Sequence, residues 1–334
     1  MTKTFRVAHR SAGFMGGVRA IFRPTWEYKP VVRGVSLSVQ PGELVALLGP
    51  NGAGKSTTIK MLTGIVAPTT GSVRLCGLDP HRNREENARN IGAVFGQRSQ
   101  LWWDLPARDS LVMLRDIFEV PAGEYRERLR QFDDMLELSR FWDTRVRHLS
   151  LGQRVRCDLA AALLHDPAVL FLDEPTIGMD VLVKEQVREF LRHQVAEDGK
   201  AVLLTTHDMK EVEHLAERII LINDGEEMFE GGVAALRSRF GATWKVHVTL
   251  SDAVGHPRLA HARIVAREGA RVTFGPRPEA SAPLGHALKE IINAYPVSDV
   301  STEEDSLEDI MRTYLGGAAA ARQSASGGSR MAAR

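Results

Sequence analysis

A glycine-rich loop limits the fold of this chain more than any other segment. Its residues are Gly49-Pro50-Asn51-Gly52-Ala53-Gly54-Lys55-Ser56-Thr57, which fit the pattern G-x-x-x-x-G-K-[ST]. The apolar run Leu44–Leu48 precedes the loop and a helical pattern follows it, which is the context that the pattern requires. Glycines let backbone N–H groups close around phosphates, and the helix N-terminus adds donors. We predict a nucleoside triphosphate site in which Lys55 contacts the β- and γ-phosphates and Ser56 ligates Mg²⁺.

Several short apolar runs indicate a parallel sheet around this loop. Besides Leu44–Leu48, they cover residues 169–172, 202–205 and 219–222. None alternates strictly between apolar and polar residues, which is typical of strands buried on both faces of a parallel sheet. Between about residues 98 and 166 the apolar period becomes helical, which indicates a helical subdomain inserted in the sheet domain. We predict an α/β domain over residues 26–241.

The composition of the 334-residue chain excludes several classes of protein. Hydrophobic residues make up 43% and charged residues 25%, so the chain can bury a real core. Because 43 Lys and Arg stand against 42 Asp and Glu, no bulk basic field draws it to nucleic acid. No apolar run approaches about 18 residues, so we expect no membrane span and no secretory signal. Cys76 and Cys157 lie far apart in sequence, and we expect a reduced cytosolic protein.

The first 33 residues are strongly basic, with a net charge of +6. Apolar residues recur at near-helical spacing over residues 12–23, which predicts a short amphipathic helix that ends before Pro24. The segment is either a solvated flap packed on its own domain or a foot near an anionic membrane surface or membrane partner. We assign residues 1–25 to a basic N-terminal extension.

The pattern changes again beyond residue 243. Strands are predicted at Trp244–Leu250, 262–266, 272–274 and 297–301, with a hairpin at Gly269, and helices at Leu284–Ala294 and 307–315. These elements predict a small C-terminal α+β domain over residues 243–315. Residues 316–334 are rich in Ala, Ser and Gly, and we expect them to be disordered.

Two adjacent carboxylates, Asp173 and Glu174, end the apolar run at 169–172. At the carboxyl edge of a parallel sheet such groups face the nucleotide crevice. Asp173 can hold Mg²⁺, and Glu174 can act as a general base on the attacking water. Apolar strands that end in Asp-Glu are common, so the pair alone does not decide the function.

Three other polar positions bear on the same site. Ser150 is a plausible N-cap and Gly152 allows close approach of an anion, although an ordinary capped helix has the same features. His207 follows the run at 202–205, where an imidazole can reach the γ-phosphate, although a lone histidine is more often structural. Gln97 follows the run at 91–95, and its amide can contact both Mg²⁺ and water.

Taken in this order, these features resemble the nucleotide-binding subunit of an ATP-binding cassette (ABC) transporter, over about residues 26–241. The resemblance implies a P-loop NTPase fold with a RecA-like parallel sheet core, an antiparallel β subdomain and an inserted helical subdomain. It also implies an ATPase that uses ATP and Mg²⁺. Two departures stand out: Leu151 replaces the first of two glycines that usually follow Ser150, and residues 176–180 differ from the commonest dimer-contact loop but keep Asp180.

The resemblance also assigns the site residues. It implies that Glu174, His207 and Gln97 are catalytic. It also implies that Ser56, Gln97 and Asp173 bind the metal. Nucleotide contacts fall to Trp26, Gly49, Pro50, Asn51, Gly52, Ala53, Gly54, Lys55, Ser56, Thr57, Ser150, Gly152, Gln153 and Asp180. The family stacks adenine on an aromatic residue upstream of the phosphate loop; we assign Trp26 to this position, with Tyr28 and Phe22 as rivals.

Residues 96–106 and the C-terminal domain narrow the resemblance to bacterial ATPases that work with ABC-2-type permeases, the viologen-exporter-like branch. This implies a homodimer or heterodimer with a second ATPase chain, separate membrane permease subunits, export, and a cytoplasmic location on the inner face of the membrane. It implies no nucleic acid partner. The alternative is a soluble ABC ATPase acting in translation or on DNA, but such proteins usually carry two cassettes or long insertions. A P-loop kinase would leave the Ser150 segment unexplained.

The adjacent residues Trp102 and Trp103 lie just after Gln97. Neighbouring side chains diverge in both a strand and a helix, so we expect at least one of these rings to be partly exposed. The pair either packs on the helical subdomain or receives a short cytoplasmic helix of the permease.

Overall fold

The computed structural model describes residues 1–8, 26–95, 98–240, 244–251, 257–277, 284–304 and 306–311. The chain divides into two compact units, Met1–Val233 and Ala234–Arg334. Cys76 is exposed, Cys157 is buried, and both are free thiols. In the described part of the chain, no helix is both long enough and apolar enough to cross a membrane.

A six-stranded sheet forms the centre of the first unit, in the order β4-β5-β6-β3-β7-β8. The strands are β3 (Leu44–Leu48), β4 (Ile91–Phe95), β5 (Val169–Asp173), β6 (Ala201–Thr205), β7 (Arg218–Asn223) and β8 (Glu226–Gly231). The first five strands in this order are parallel, and β8 is antiparallel to β7. Every residue of β3 and β6 is buried, because helices cover both faces of the sheet. The predicted α/β fold is confirmed.

The register of the sheet brings the predicted site residues to one edge. Leu47 of β3 and Asp173 of β5 both pair with Thr205 of β6, and Phe95 of β4 pairs with Asp173. Since all these strands are parallel, the segments that follow them emerge at the same carboxyl edge. The phosphate loop and the two carboxylates therefore meet there.

Helices surround the sheet and build the inserted subdomain. Lys55–Leu62, Arg84–Asn90, Val181–Ala196 and Met209–Leu215 belong to the sheet domain, and Ala107–Ile117, Ala122–Leu136 and Leu151–Leu163 lie within the segment predicted to be helical. Short 3-10 turns occupy Leu138–Arg140 and Val146–His148. Phe132 of the inserted segment meets Phe190 edge to face, with ring centroids 5.7 Å apart. This contact belongs to a hydrophobic cluster that runs from the inserted helices to the sheet.

A two-stranded antiparallel ribbon, β1 (Thr2–Ala8) with β2 (Trp26–Arg33), also belongs to the first unit. The Met1 amino group donates to the Val35 carbonyl over 2.8 Å, and the Thr2 N–H donates to the Thr70 carbonyl over 2.9 Å. Residues 1–8 are therefore part of the sheet domain, which corrects their assignment to an extension. The strand β1 was not predicted because the basic residues of the segment interrupt the pattern of its β-forming residues. The helix predicted at residues 12–23 lies outside the described residues.

The second unit contains a four-stranded antiparallel sheet in the order β10-β11-β9-β12. Its strands are β9 (Trp244–Leu250), β10 (Ala262–Glu268), β11 (Arg271–Pro276) and β12 (Val297–Glu304). Alternate residues of β9 are buried, and they share a core with Ala287 and Ile291 of the helix Leu284–Ala294. The unit begins at Ala234, within the helix Val233–Phe240, rather than at residue 243 as predicted. Residues 307–311 are helical, and the predicted tail lies outside the described residues.

Candidate functional site

An open cleft of about 840 Å³ lies at the carboxyl edge of the six-stranded sheet. Six residues of the phosphate loop line it: Asn51, Gly52, Gly54, Lys55, Ser56 and Thr57. Asp173 and Glu174 line it as well. Gly49, Pro50 and Ala53 are not among its lining residues; they build the turn behind it, and Ala53 is 2% exposed. The cleft therefore joins a phosphate cradle to two carboxylates.

The turn into the helix Lys55–Leu62 depends on Gly54. Its φ is +106°, a conformation that side chains rarely adopt, and a Cβ there would lie 2.9 Å from the Val31 carbonyl oxygen. The close approach of the two backbones leaves the first N–H groups of the helix at the cleft, where they can bind an anion.

Lys55 is one of the cations that line the cleft. Its Nζ donates to the carbonyl oxygens of Gly49, over 2.6 Å, and Pro50, over 3.1 Å. Burial lowers the pKa of Lys55, while the charges of Glu174 and Asp173 act in the opposite direction and favour the ammonium form. An ammonium held at the mouth of the loop is suited to phosphate oxygens.

Asp173 and Ser56 present oxygen donors to the same space. The Ser56 hydroxyl donates to Asp173 Oδ2 over 3.4 Å, and the buried Thr205 hydroxyl donates to Oδ1. Hydroxyl and carboxylate oxygens are the ligands that Mg²⁺ prefers, so this donor set fits the ion. The described residues include no group of three or more His, Cys, Asp or Glu side chains that could hold a metal, so phosphate or water oxygens would complete the shell. Gln97, the third predicted ligand, lies outside the described residues.

Glu174 is turned away from the strand that precedes it. Its φ is +53°, in the left-handed region that is uncommon for residues other than glycine, and its N–H donates to the Thr205 carbonyl over 2.9 Å. In this position Oε1 lies 3.1 Å from Nδ1 of His207. A second cavity of about 80 Å³ lies between these two side chains and Lys184. The pair therefore places a carboxylate next to an imidazole beside the cleft, an arrangement that can accept a proton from water.

Ser150 caps the helix Leu151–Leu163, hereafter the signature helix. Its Oγ accepts from the Gln153 N–H over 3.2 Å, and Gln153 Oε1 accepts from the Ser150 N–H over 2.9 Å, which completes a capping box. A Cβ on Gly152 would lie 3.1 Å from a methyl group of Val183, so this glycine permits close packing. Ser150, Gly152 and Gln153 do not line the cleft of their own chain.

Asp180, the last residue of the predicted dimer-contact loop, caps the helix that follows it. Its Oδ1 accepts from the Val183 N–H over 3.0 Å at the start of the helix Val181–Ala196. Asp180 does not line the cleft either. Val181 and Leu182 follow it with 78% and 79% of their surfaces exposed. Two consecutive exposed apolar side chains at a helix start are typical of a contact surface.

The position of Trp26 does not support its predicted role in base stacking. Trp26 does not line the cleft, and the guanidinium of Arg6 lies 3.8 Å from the centre of its ring. Val31 is the residue of β2 that does line the cleft. Trp26 lies five positions before Val31, which is about 16 Å along an extended strand. Phe5 pairs with Lys29 on β2, which is three positions closer to Val31 than Trp26 is, but Phe5 does not line the cleft either. Of the two rivals, Tyr28 does not line the cleft and Phe22 lies outside the described residues.

We expect Phe5→Ala to raise the Kd for ATP roughly fivefold, because aromatic stacking contributes about 1 kcal/mol. Trp26→Ala should leave the Kd unchanged. Titration with a fluorescent ATP analogue would measure both. Val7→Ala is the matched control, because Val7 is also exposed and lies on the same strand. The opposite pattern, with loss only for Trp26→Ala, would restore the original assignment.

Two cations of the cleft were not singled out from the sequence. Lys60 and Arg98 both line it. Lys60 lies one helical turn beyond Ser56, on the same side of its helix, which is the signal that could have identified it. Arg98 directly follows Gln97.

Comparisons with known proteins agree with this geometry. Residues 32–177 match the family described as ABC transporter. The Nod factor export ATP-binding protein I of Paraburkholderia xenovorans is 42% identical over 208 residues, which cover 62% of this chain and 68% of that protein. The ABC transporter ATP-binding protein NatA of Bacillus subtilis is 32% identical over 205 residues, covering 61% and 83%.

A solved structure shares the fold. It is a dimeric ATP-binding cassette in a post-hydrolysis state, bound to ADP and Pi, with a TM-score of 0.57 and 30% identity. The similarity covers 70% of this chain and 96% of that one. The region of similarity thus has the size of a complete cassette.

Proposed function

This chain belongs to the ABC transporter family of ATP-binding proteins, and we propose that it powers export through separate ABC-2-type permease subunits. It is an ATPase. The meeting of Lys55, Asp173 and Glu174 in one cleft, with His207 3.1 Å from Glu174, carries the ATPase part of this proposal. The similarity to an export ATP-binding protein supports the export part.

Each side chain of the cleft has a chemical task in hydrolysis. The N–H groups of the loop and the Lys55 ammonium bind the β- and γ-phosphates and offset their charge. Glu174 accepts a proton from water as the water oxygen attacks the γ-phosphorus and the bond to ADP breaks. His207 orients Glu174 and contacts the γ-phosphate. Ser56 and Asp173 would hold Mg²⁺, which would supply further charge neutralisation on the phosphate oxygens.

We propose that the complete site forms between two chains. Ser150 and Gly152 lie outside the cleft of their own chain, yet Ser150 stands at a helix N-terminus that can bind phosphate. In a head-to-tail dimer, Ser150 of the partner subunit closes over the ATP in the cleft. The exposed Val181 and Leu182 supply apolar contact area beside Asp180. ATP then draws the chains together, and hydrolysis separates them.

The proposed permease contact is the tryptophan loop, residues 99–104. Trp102 is 36% exposed and Trp103 is 51% exposed, so neither ring is buried in the helical subdomain. Exposed tryptophans are frequent anchors of protein interfaces. The loop begins directly after Arg98, which lines the cleft, and this links docking to the cleft. We propose that this contact holds the chain on the inner face of the cell membrane.

Purification of the full chain from its own cells in detergent tests this function. We expect a multi-span permease to co-purify with the chain in a fixed ratio. Sedimentation with ribosomes or DNA, with no permease, would instead support a soluble ABC ATPase that acts in translation or on DNA.

The tryptophan loop gives a sharper prediction. We expect Trp103→Ala or Trp102→Ala to weaken permease binding by more than about 1 kcal/mol, or roughly fivefold, with the larger effect at the more exposed Trp103. The amount of permease recovered per chain measures the loss. Ile292→Ala, which truncates a 46% exposed apolar residue of the second unit, is the control. ATP binding by the isolated chain should stay normal, and normal assembly and transport in both tryptophan variants would contradict docking at this loop.

A further inference from the structure

A buried carboxylate in the signature helix has no part in the chemistry described so far. Asp158 is 4% exposed and lies among buried alanine, leucine and cysteine side chains. Its Oδ1 accepts from the Ser99 hydroxyl over 2.8 Å and from the Gln100 N–H over 3.1 Å. The Gln100 side-chain amide also donates to the Asp158 carbonyl over 3.0 Å. Asp158 thus fastens the start of the tryptophan loop to the signature helix.

A second contact joins the same two elements. The guanidinium of Arg154 lies 5.5 Å from the centre of the Trp103 ring. Ser150, Arg154 and Asp158 are spaced four residues apart, so they lie along one side of the signature helix. The helix therefore has its cap and both contacts with the tryptophan loop on one side.

Arg98, the residue just before the loop, is tied to the central sheet. The Arg98 N–H donates to the Phe95 carbonyl over 2.7 Å, and Phe95 of β4 pairs with Asp173. Within the loop, Leu101 is 5% exposed and the Trp102 N–H donates to Ser110 Oγ over 3.1 Å. The described contacts thus lead from the strand that bears Asp173 to the helix that bears Ser150.

The charge of Asp158 is not itself a source of stability near neutral pH. Burial raises the pKa of Asp158 to about 6, against the smaller opposing effects of Ser99, Gln100 and Arg154. An acid whose pKa is raised by folding adds stability at a pH below its ordinary pKa of 3.8, and loses that contribution as the pH rises through about 6. Near pH 7 the ionised group therefore adds none through its titration, although it remains a strong hydrogen-bond acceptor.

We propose that Asp158 is a positioning residue, which sets the signature helix and its Ser150 in the orientation needed to close over the ATP of a partner chain. Asp158 acts through the tryptophan loop. When the permease binds Trp102 and Trp103, the hydrogen bonds from Ser99 and Gln100 to Asp158 couple this binding to the position of Ser150. This inference rests on the dimer described under the proposed function. Asp158 does not line the cleft, so its proposed role is to hold two elements together.

The test uses the full chain with Glu174→Gln as the parent, because that variant should accumulate an ATP-bound dimer. The ATP concentration that gives half-maximal dimer is measured by light scattering. Asp158→Ala should raise it about fivefold or more, the size expected for losing hydrogen bonds to a charged acceptor. Asp158→Asn should stay near the parent value, since its Oδ1 can still accept from the Gln100 N–H. ATP binding to the separated chains should not change in either variant.

Cys157→Ala is the matched control, because Cys157 is the fully buried neighbour on the same helix. An equal rise in this control, or no rise for Asp158→Ala, would overturn the proposal. If Asp158→Ala fails to fold, Ser99→Ala removes one of the same hydrogen bonds from the side of the loop. An unchanged half-maximal ATP concentration in Ser99→Ala would then overturn the proposal.

Failure of the parent itself to dimerise with ATP would overturn the proposed function, and this inference with it. Hydrogen exchange at the Gln100 N–H should increase in Asp158→Ala, and an unchanged rate would contradict the tie.

Discussion

Glu174→Gln is expected to lower ATP turnover by about 10²–10⁴-fold while ATP binding survives. Glutamine keeps the size and much of the hydrogen bonding of glutamate, but it cannot accept the proton of the attacking water. The contact with His207 can persist through the amide, so the local structure should hold. Phosphate release from ATP measures turnover, and equilibrium titration measures binding.

A second glutamate provides a matched control. Glu119 also has a left-handed backbone, with φ of +56°, and its exposed carboxylate pairs with Arg89 at 3.8 Å. It does not line the cleft, so Glu119→Gln should hydrolyse ATP normally. Near-normal hydrolysis by Glu174→Gln would remove Glu174 from the role of base.

Lys55→Ala is expected to weaken the binding of ATP, whereas Glu174→Gln slows its hydrolysis. Charge-assisted hydrogen bonds contribute about 1.5–3 kcal/mol each, so losing this ammonium should weaken ATP binding by about 10- to 100-fold. The loss should be smaller for ADP, because ADP lacks the γ-phosphate that we propose Lys55 contacts. Calorimetric titration with each nucleotide measures the difference.

Lys60 provides the comparison for Lys55. Both line the cleft, but Lys60 lies more than one turn further along the helix, away from the loop. Lys60→Ala should therefore cost less than Lys55→Ala and should not discriminate between ATP and ADP. Equal losses in the two variants would contradict the assignment of Lys55 to the phosphates.

Local signals were sufficient to predict the sheet and the cradle. A parallel strand buried on both faces has an apolar run that needs no partner to be recognised, and the phosphate loop is contiguous in sequence. The meeting of Lys55 with Asp173 followed because parallel strands share one carboxyl edge. These inferences needed only strand direction.

Contacts between distant segments could not be predicted in the same way. Trp26 is separated from the cleft because β2 begins five positions before Val31 and is extended between the two residues. Spacing in the sequence does not show whether a segment is extended. The strand β1 is recognisable only with its partner β2, because a charged two-stranded ribbon has no continuous apolar run. The bond from Ser99 to Asp158 joins residues 59 positions apart, and a polar residue in an alanine-rich helix gives no sign of its partner.

The central claim is that each ATP is enclosed by the phosphate loop of one chain and Ser150 of the partner subunit. The direct measurement is ATP hydrolysis in a mixture of Lys55→Ala and Ser150→Arg chains, each of them inactive alone. A mixed dimer then has one site with an intact loop and an intact signature serine, and one site with both lesions, so partial activity should return on mixing. If both motifs served the nucleotide of their own chain, every site would carry one lesion, and a mixture as inactive as its components would contradict the account.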